Sequence, residues 1–180
     1  SAASTAQQQV QQIDSVQQHH YAQLDMATGV TQRTAQDDKC GLVLAWANSD
    51  YSGYYSVPGP GAMWLTWGVL GAAPSDIVGQ IYFAYATSLL DTAYGGPGGS
   101  LCLHMYDALG GCADTGLGLL PDASFCFSGL AGGPDGVTAW GWTYSLTLTG
   151  GFEFTQDAGP FGYAMSFFDS SSGPLLYYSG

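Results

Sequence analysis

The sequence predicts an all-β protein, an antiparallel β-sandwich of the jelly-roll type with a Gln-rich N-terminal arm. Two observations support this fold class. Apolar and polar residues alternate along many short segments, and turn-forming residues interrupt these segments roughly every 8–15 positions. Short strands between regularly spaced turns are typical of sandwiches, jelly rolls and barrels.

The clearest alternation lies at residues 139–155, AWGWTYSLTLTGGFEFT. Successive side chains of a strand point to opposite faces of the sheet, so large apolar residues at every second position share one face. We expect that face to pack inside the sandwich and the hydroxyl-rich face to meet water. The residues of the expected inner face are Trp140, Trp142, Tyr144, Leu146 and Leu148. The pair Gly150-Gly151, between two alternating runs, predicts a two-residue hairpin.

The other strand segments follow in order from residue 40. CGLVLAWANSDYSGYYSV contains two apolar runs around an Asn-Ser-Asp turn, and PGPG ends the second run. The segments near 62–70 and 77–86 are apolar on both faces, which predicts central strands. After the turn YGGPGGS, alternation returns in LCLHMYDAL and ASFCFSGL. FGYAMSFF and PLLYYSG complete the predicted domain, which covers residues 40–180.

Residues 1–39 differ in composition from the rest of the chain. They are rich in Gln and contain no Pro, Trp or Phe. A helix here would have only a thin apolar face, formed by Val10, Ile13, Gln17, His20 and Leu24. Such a helix is marginal alone, because packing supplies most helical stability. We therefore expect an N-terminal arm that is either flexible or ordered by a partner.

The charge balance excludes several partners. The chain has 2 basic and 14 acidic residues and a net charge of −12, and both basic residues, Arg33 and Lys39, precede residue 40. Nucleic-acid binding is not expected, because phosphate neutralisation needs clustered Lys and Arg. An anionic lipid surface would repel the protein for the same reason. No apolar run of about 18 residues exists, so no transmembrane span is expected.

The chain has four cysteines, Cys40, Cys102, Cys112 and Cys126. Their even number predicts two disulfides in a secreted, extracellular or cell-surface protein, with free buried thiols as the alternative. No Cys-x2-Cys pair exists, which disfavours zinc. Four cysteines allow three pairings, and the sequence does not choose among them. A Cys112–Cys126 bond would close a short Gly-rich excursion and is slightly favoured, which would leave Cys40–Cys102.

Three stretches carry a family resemblance: DKCGLVLAWANSDYSGYY, FCFSGLAGGPDG and LTGGFEFTQDAGPFGYAMSFFDSSSGPLL. Together they resemble a loosely defined group of secreted bacterial β-sandwich proteins, frequent in planctomycete-like genomes. The resemblance covers most of residues 38–176. It implies an extracellular or cell-surface protein with a jelly-roll-like domain, and it carries no catalytic residue over to this chain.

Catalytic signatures are weak, and no enzyme activity is expected. Glycoside hydrolysis by paired carboxylates needs two acids set across the substrate, and Glu153 is the only Glu. Its neighbours Phe152 and Phe154 place it on a polar, solvent-facing side. No G-x-S-x-G motif exists, and His104, opposite Leu103 and Met105, is expected to be a surface or inter-strand polar residue.

Two ligand classes stay open. The loops could hold structural calcium, because Asp recurs in them, although single Asp residues also favour turns. These loop residues are Asp50, Asp91, Asp107, Asp114, Asp122, Asp135, Asp157 and Asp169. A glycan could stack on aromatic residues of the turn-rich region, and the same residues could form a subunit interface. The candidate ligand or interface aromatics are Tyr51, Tyr54, Tyr55, Trp64 and Trp67.

The leading functional hypothesis is therefore an extracellular structural protein that assembles with itself into a fibre, sheath or matrix. The arm would join subunits, for example by adding a strand to a neighbouring sheet, and aromatic surfaces would form the contacts. The alternative is a secreted carbohydrate-binding or adhesive module, which requires exposed aromatic residues beside polar groups.

Overall fold

The computed structural model describes residues 9–12, 20–29, 31–34, 51–72, 76–107 and 121–177. These ranges contain thirteen strands and one short 3₁₀ turn, Thr92–Tyr94. In chain order the strands are β1 (Gln9–Gln12), β2 (His20–Asp25), β3 (Thr31–Thr34), β4 (Tyr51–Val57), β5 (Met63–Leu70), β6 (Ile77–Val78), β7 (Gln80–Thr87), β8 (Gly99–Asp107), β9 (Ala123–Leu130), β10 (Trp140–Thr147), β11 (Phe154–Thr155), β12 (Gly159–Phe167) and β13 (Ser172–Tyr177).

The strands form two larger sheets that pack against each other. One sheet has seven strands in the order β1-β4-β13-β7-β10-β2-β3, and the other has four in the order β5-β12-β8-β9. The short strands β11 and β6 pair with each other. Among the described strands, β2 and β10 run parallel, and every other neighbouring pair is antiparallel. The predicted all-β sandwich is confirmed, and its jelly-roll connectivity stays a prediction.

The core lies between the two larger sheets. Phe83 of β7 stacks on Tyr144 of β10 at 5.3 Å between ring centroids, and on Phe127 of β9 at 5.8 Å. The second contact joins the sheets directly. The four-stranded sheet adds the buried residues Leu101, Leu103, Phe125, Met165 and Phe167. Burying this apolar surface is the main favourable contribution to folding.

Strand β10 confirms the alternation seen in the sequence. Trp142, Tyr144, Leu146 and Leu148 are buried in the core, and Trp140 packs against it. The opposite face is less wet than expected, because Ser145 is only 5% exposed and accepts a hydrogen bond from Gln80. The apolar segments near 62–70 and 77–86 were expected to form central strands. β7 lies between β13 and β10, whereas β5 lies at the edge of the described four-stranded sheet.

Part of the predicted N-terminal arm belongs to the sandwich. In β2, Ala22 and Leu24 are buried beside β10, and β3 pairs with β2. These two apolar residues are spaced two apart, so they share one face of a strand and extend the core. The turn between the strands forms at Asp25, whose carboxylate accepts hydrogen bonds from the backbone N–H groups of Ala27 and Thr28.

The predicted hairpin at Gly150-Gly151 is wrong in its pairing. Both glycines do adopt left-handed backbone, with φ of 74° and 96°, as a turn there requires. The strand that follows, β11, pairs with β6 and not with β10. Phe154 packs at 6.0 Å from Phe125, so burial of this ring at the end of the core directs the chain away from β10.

The favoured disulfide pairing is also wrong. Cys102 bonds to Cys126, directly across from it on the neighbouring strands β8 and β9. Strand register brings these two cysteines together, and loop length alone gives no information about register. Cys40 and Cys112 lie outside the described residues.

Candidate binding site

An aromatic hollow lies at one edge of the sandwich, where β2, β3 and β10 meet two loops. It has a volume of about 270 Å³. One loop joins β7 to β8 and the other joins β9 to β10. The residues that line it are His20, Tyr21, Arg33, Tyr94, Gly132, Pro134, Trp140 and Trp142. We call this feature the aromatic hollow.

Arg33 supplies the positive charge of the aromatic hollow. Its partner in the strand register is Ala22, a core residue, so the Arg33 side chain points to the inner face. The guanidinium contacts the Asp91 carboxylate at 2.5 Å and lies 5.3 Å from the centre of the Trp142 ring. The ring attracts the cation through its quadrupole. Asp91 is 1% exposed, whereas the Arg33 side chain is 47% exposed, so Arg33 alone of the pair can reach a ligand.

Asp91 also fixes the two loops. One carboxylate oxygen accepts from the N–H of Ala93 at 2.7 Å and caps the 3₁₀ turn, and the other accepts from the N–H of Gly132 at 2.6 Å. Burial opposes ionisation of this group, but these hydrogen bonds and the one from Arg33 outweigh it and lower the pKa of Asp91 below its ordinary value. Asp91 is therefore charged at neutral pH, and its carboxylate is occupied by hydrogen bonds within the protein.

Glycine is needed where the second loop approaches the first. A Cβ atom at Gly132 would collide with the backbone carbonyl of Leu89, and one at Gly133 would lie 2.7 Å from the Trp140 ring. The N–H of Gly133 donates to Leu89 at 3.0 Å, and Asp91 donates back to Gly133 at 2.9 Å. The loops can form this close backbone contact only because neither position carries a side chain.

Two buried tyrosines hold the second loop from beneath. Tyr144 accepts a hydrogen bond from the N–H of Ala131 at 2.8 Å, and Tyr85 donates to the carbonyl of the same residue. Burial raises the pKa of Tyr144 to about 12 and that of Tyr85 well above its ordinary value. Both phenols therefore stay neutral and act as fixed supports.

The walls of the hollow are aromatic. His20 stacks on Trp140 with 4.7 Å between ring centroids, and it lies 4.9 Å from Trp142. The Trp142 indole donates to the Gly132 carbonyl at 3.3 Å. The Trp140 indole nitrogen is buried and has no hydrogen-bond partner among the described residues. At the rim, Tyr94 is 61% exposed, on the 3₁₀ turn that Asp91 caps.

The aromatic residues expected from the sequence do not come together. Tyr51, Tyr54 and Tyr55 lie on β4 of the seven-stranded sheet, and Trp64 and Trp67 lie on β5 of the other sheet. Tyr55 is buried, and burial raises its pKa. Tyr54 and Trp67 are exposed, at 41% and 45%. None of the five residues lines the aromatic hollow.

His104 is an inter-strand residue, as expected. Its ring nitrogens pair with Ser124 on β9 at 2.9 Å and with Ser166 on β12 at 3.1 Å. Burial lowers the pKa of His104, which favours the neutral ring. Glu153 lies in an exposed turn and accepts a hydrogen bond from Gly151. Within the described ranges, no three His, Cys, Asp or Glu side chains cluster as metal ligands. Asp50 and Asp114 fall outside those ranges.

The groups that line the aromatic hollow are rings and one guanidinium. The buried Asp91 carboxylate behind Arg33 is engaged by three donors. The exposed groups are aromatic rings and guanidinium N–H donors, which recognise hydroxyls and apolar faces. No family model, no curated protein and no solved structure matches this chain. Within the described residues, no helix is long and apolar enough to cross a membrane.

Proposed function

We propose that the protein is a secreted carbohydrate-binding module and that the aromatic hollow holds one sugar unit of a neutral glycan. The observation that carries this proposal is the combination of Arg33 and exposed Tyr94 in one concave site. The volume of about 270 Å³ lies just below the range of typical ligand pockets, about 300–1,000 Å³, and suits a single sugar ring or chain end. The Cys102–Cys126 bond favours an oxidising compartment.

The charge around the hollow favours a neutral ligand. The Asp91 carboxylate balances Arg33, so the pair adds no net charge. The whole chain carries −12, which repels anions over the distance of a Debye length. An acidic sugar would need a positive charge that no protein carboxylate balances. Arg33 does not supply one, because Asp91 balances it. Its remaining N–H groups can still donate to uncharged hydroxyls.

The aromatic groups supply the second half of sugar recognition. One face of a pyranose ring exposes C–H groups, which pack on an aromatic ring while the hydroxyls stay hydrogen-bonded. Tyrosine suits this role because its ring is apolar and its hydroxyl remains in water. Tyr94 is held at the rim by the capped 3₁₀ turn, so little conformational entropy is lost when a sugar stacks on it.

A glycan array followed by calorimetry tests this proposal, with neutral and acidic oligosaccharides compared. We expect a neutral glycan to bind and Tyr94→Ala to weaken its affinity about tenfold, since lost stacking and burial are worth about 1–2 kcal/mol. Tyr54→Ala is the matched control, because Tyr54 is exposed on β4 and lies outside the hollow. Equal effects of both variants, or binding of acidic glycans alone, would overturn the proposal.

A second candidate is self-assembly into an extracellular structure, and one observation favours it. Three apolar side chains of β5 are exposed, namely Met63, Trp67 and Val69. Their odd positions share one face of the strand, so they form a continuous apolar stripe. Interface centres are rich in Met and aromatic residues, and a second copy of the chain would cover this stripe. Sedimentation velocity with Val69→Ser and Val137→Ser tests this candidate.

A further inference from the structure

We infer that Asp107, Asp122 and Gln156 form a calcium site at the end of the four-stranded sheet. This site is separate from the aromatic hollow and shares no residue with it. Asp107 ends β8, and Asp122 directly precedes β9, its antiparallel neighbour. Gln156 follows β11 and reaches the same point from another part of the chain.

Hydrogen bonds place the three side chains together. The backbone N–H of Asp107 donates to one carboxylate oxygen of Asp122. The amide nitrogen of Gln156 donates to a carboxylate oxygen of Asp107 at 3.0 Å and to the carbonyl of Tyr106 at 3.1 Å. Two acceptors thus fix the orientation of the Gln156 amide, since a flipped amide would turn its oxygen toward both of them.

The Gln156 amide oxygen is a second observation that favours a ligand at this point of the fold. Gln156 is only 5% exposed, and its oxygen is buried without a hydrogen-bond partner. A buried acceptor that lacks a partner carries the full cost of its lost hydration, and native structures avoid this arrangement. The oxygen shares one planar amide with the nitrogen that donates to Asp107, so the proposed site places the cation between this oxygen and the Asp107 carboxylate. A cation held by the carboxylates would satisfy it.

The negative charge of the two carboxylates also favours a bound cation. Among the described residues, Arg33 is the sole Lys or Arg, and it pairs with Asp91. Asp107 and Asp122, which are joined by a hydrogen bond, therefore have no Lys or Arg partner from that part of the chain.

The donor set selects calcium among common cations. Two carboxylates and an amide carbonyl are hard oxygen ligands, and the trio includes no thiolate or imidazole. Ca²⁺ accepts six to eight oxygens in irregular geometry, with water completing the shell, whereas Mg²⁺ demands a near-octahedral site. Exposed Asp122 leaves room for those waters.

The test uses the full chain after treatment with a chelator. Thermal unfolding is followed with and without about 1 mM Ca²⁺, the range in which extracellular modules bind calcium. We expect Ca²⁺ to raise Tm, and Mg²⁺ at the same concentration to raise it less. Sensitised luminescence of Tb³⁺, with competition by Ca²⁺, measures the binding itself. The absence of both a Tm increase and Tb³⁺ luminescence would overturn the inference, as would an equal increase with Mg²⁺.

Three variants locate the site. Asp122→Asn should weaken Ca²⁺ binding about tenfold or more, as loss of a charged ligand does. Gln156→Ala removes the amide ligand and should weaken Tb³⁺ binding and the rise of Tm with Ca²⁺, two readouts that a merely structural Gln would not change. Asp135→Asn is the control, because Asp135 is exposed and its carboxylate accepts hydrogen bonds only within its own turn, from the N–H groups of Val137 and Thr138. A Ca²⁺ response that is unchanged in Asp122→Asn, or lost in Asp135→Asn, would refute the assignment.

Discussion

Asp91 is the residue on which the aromatic hollow depends. It joins Arg33 of β3, the 3₁₀ turn and the loop at Gly132 through one carboxylate. None of these contacts follows from local sequence, since Arg33 and Asp91 lie 58 positions apart. Loss of the carboxylate would leave the Arg33 guanidinium without its partner beside the buried Trp142 ring.

We predict that Asp91→Asn destabilises the protein at neutral pH by about 1–3 kcal/mol, the range for a charged hydrogen-bond group lost from a partly solvated pair. The pKa of Asp91 is lower in the folded state than its ordinary value. Its contribution is therefore present above the unfolded pKa, about 3.9, and is lost as pH falls through the folded value.

Urea unfolding of the wild type and Asp91→Asn at several pH values checks this prediction. The two stabilities should differ at pH 7 and converge as the solution becomes more acidic than pH 4. Asp157→Asn is the surface comparison, because Asp157 is exposed, and it should change stability less at pH 7. A difference between wild type and Asp91→Asn that grows on acidification would contradict the assigned role of the carboxylate.

The individual residues of the hollow could be predicted only in part. The alternation around Trp140 and Trp142 places both on the inner face, and the structure agrees. His20 and Arg33 were missed as site residues, because their positions depend on the parallel pairing of β2 with β10. One signal was available in the sequence. Arg33 is one of two basic residues in an acidic chain, so an ion pair with a specific carboxylate could have been expected.

Among the elements, β2 shows how a weak local pattern becomes ordered. Its residues have no strong propensity for a strand, yet Ala22 and Leu24 extend the core beside Tyr144 and Leu146. Contacts between distant segments override local preference in such cases. The disulfide and the failed Gly150-Gly151 hairpin have the same origin, because both depend on which strands become neighbours.

We predict that Leu24→Ala lowers the free energy of unfolding by about 2–4 kcal/mol, since it removes a core side chain and leaves a cavity. Gln23→Ala is the matched control. Gln23 lies on the opposite face of β2 and is absent from the core cluster, so its effect should be small. Chemical denaturation measures both values. Equal, negligible effects would mean that β2 contributes nothing to the sandwich and behaves as a separate arm.

At the scale of the whole molecule, charge and apolar surface oppose each other. The net charge of −12 opposes association of two copies, whereas burial of the β5 stripe of Met63, Trp67 and Val69 would favour it. The charge could be read directly from the sequence. The stripe could not, because the segment 62–70 is apolar on both faces and was expected at the centre of a sheet. Which of its faces meets water depends on its position in the sheet.

We predict that salt promotes association of the protein through this stripe. The Debye length falls from about 30 Å at 0.01 M salt to about 8 Å at 0.15 M, so repulsion between copies weakens over their approach distance. Sedimentation velocity should then show a shift from monomer toward larger species.

Val69→Ser removes apolar surface without changing charge and should reduce the shift. Val137→Ser is the control, because Val137 is 79% exposed and lies in the loop before β10. An equal loss of association in both variants would mean that general surface apolarity, and not the β5 stripe, joins the copies, and a monomer at every salt concentration would refute the self-assembly candidate.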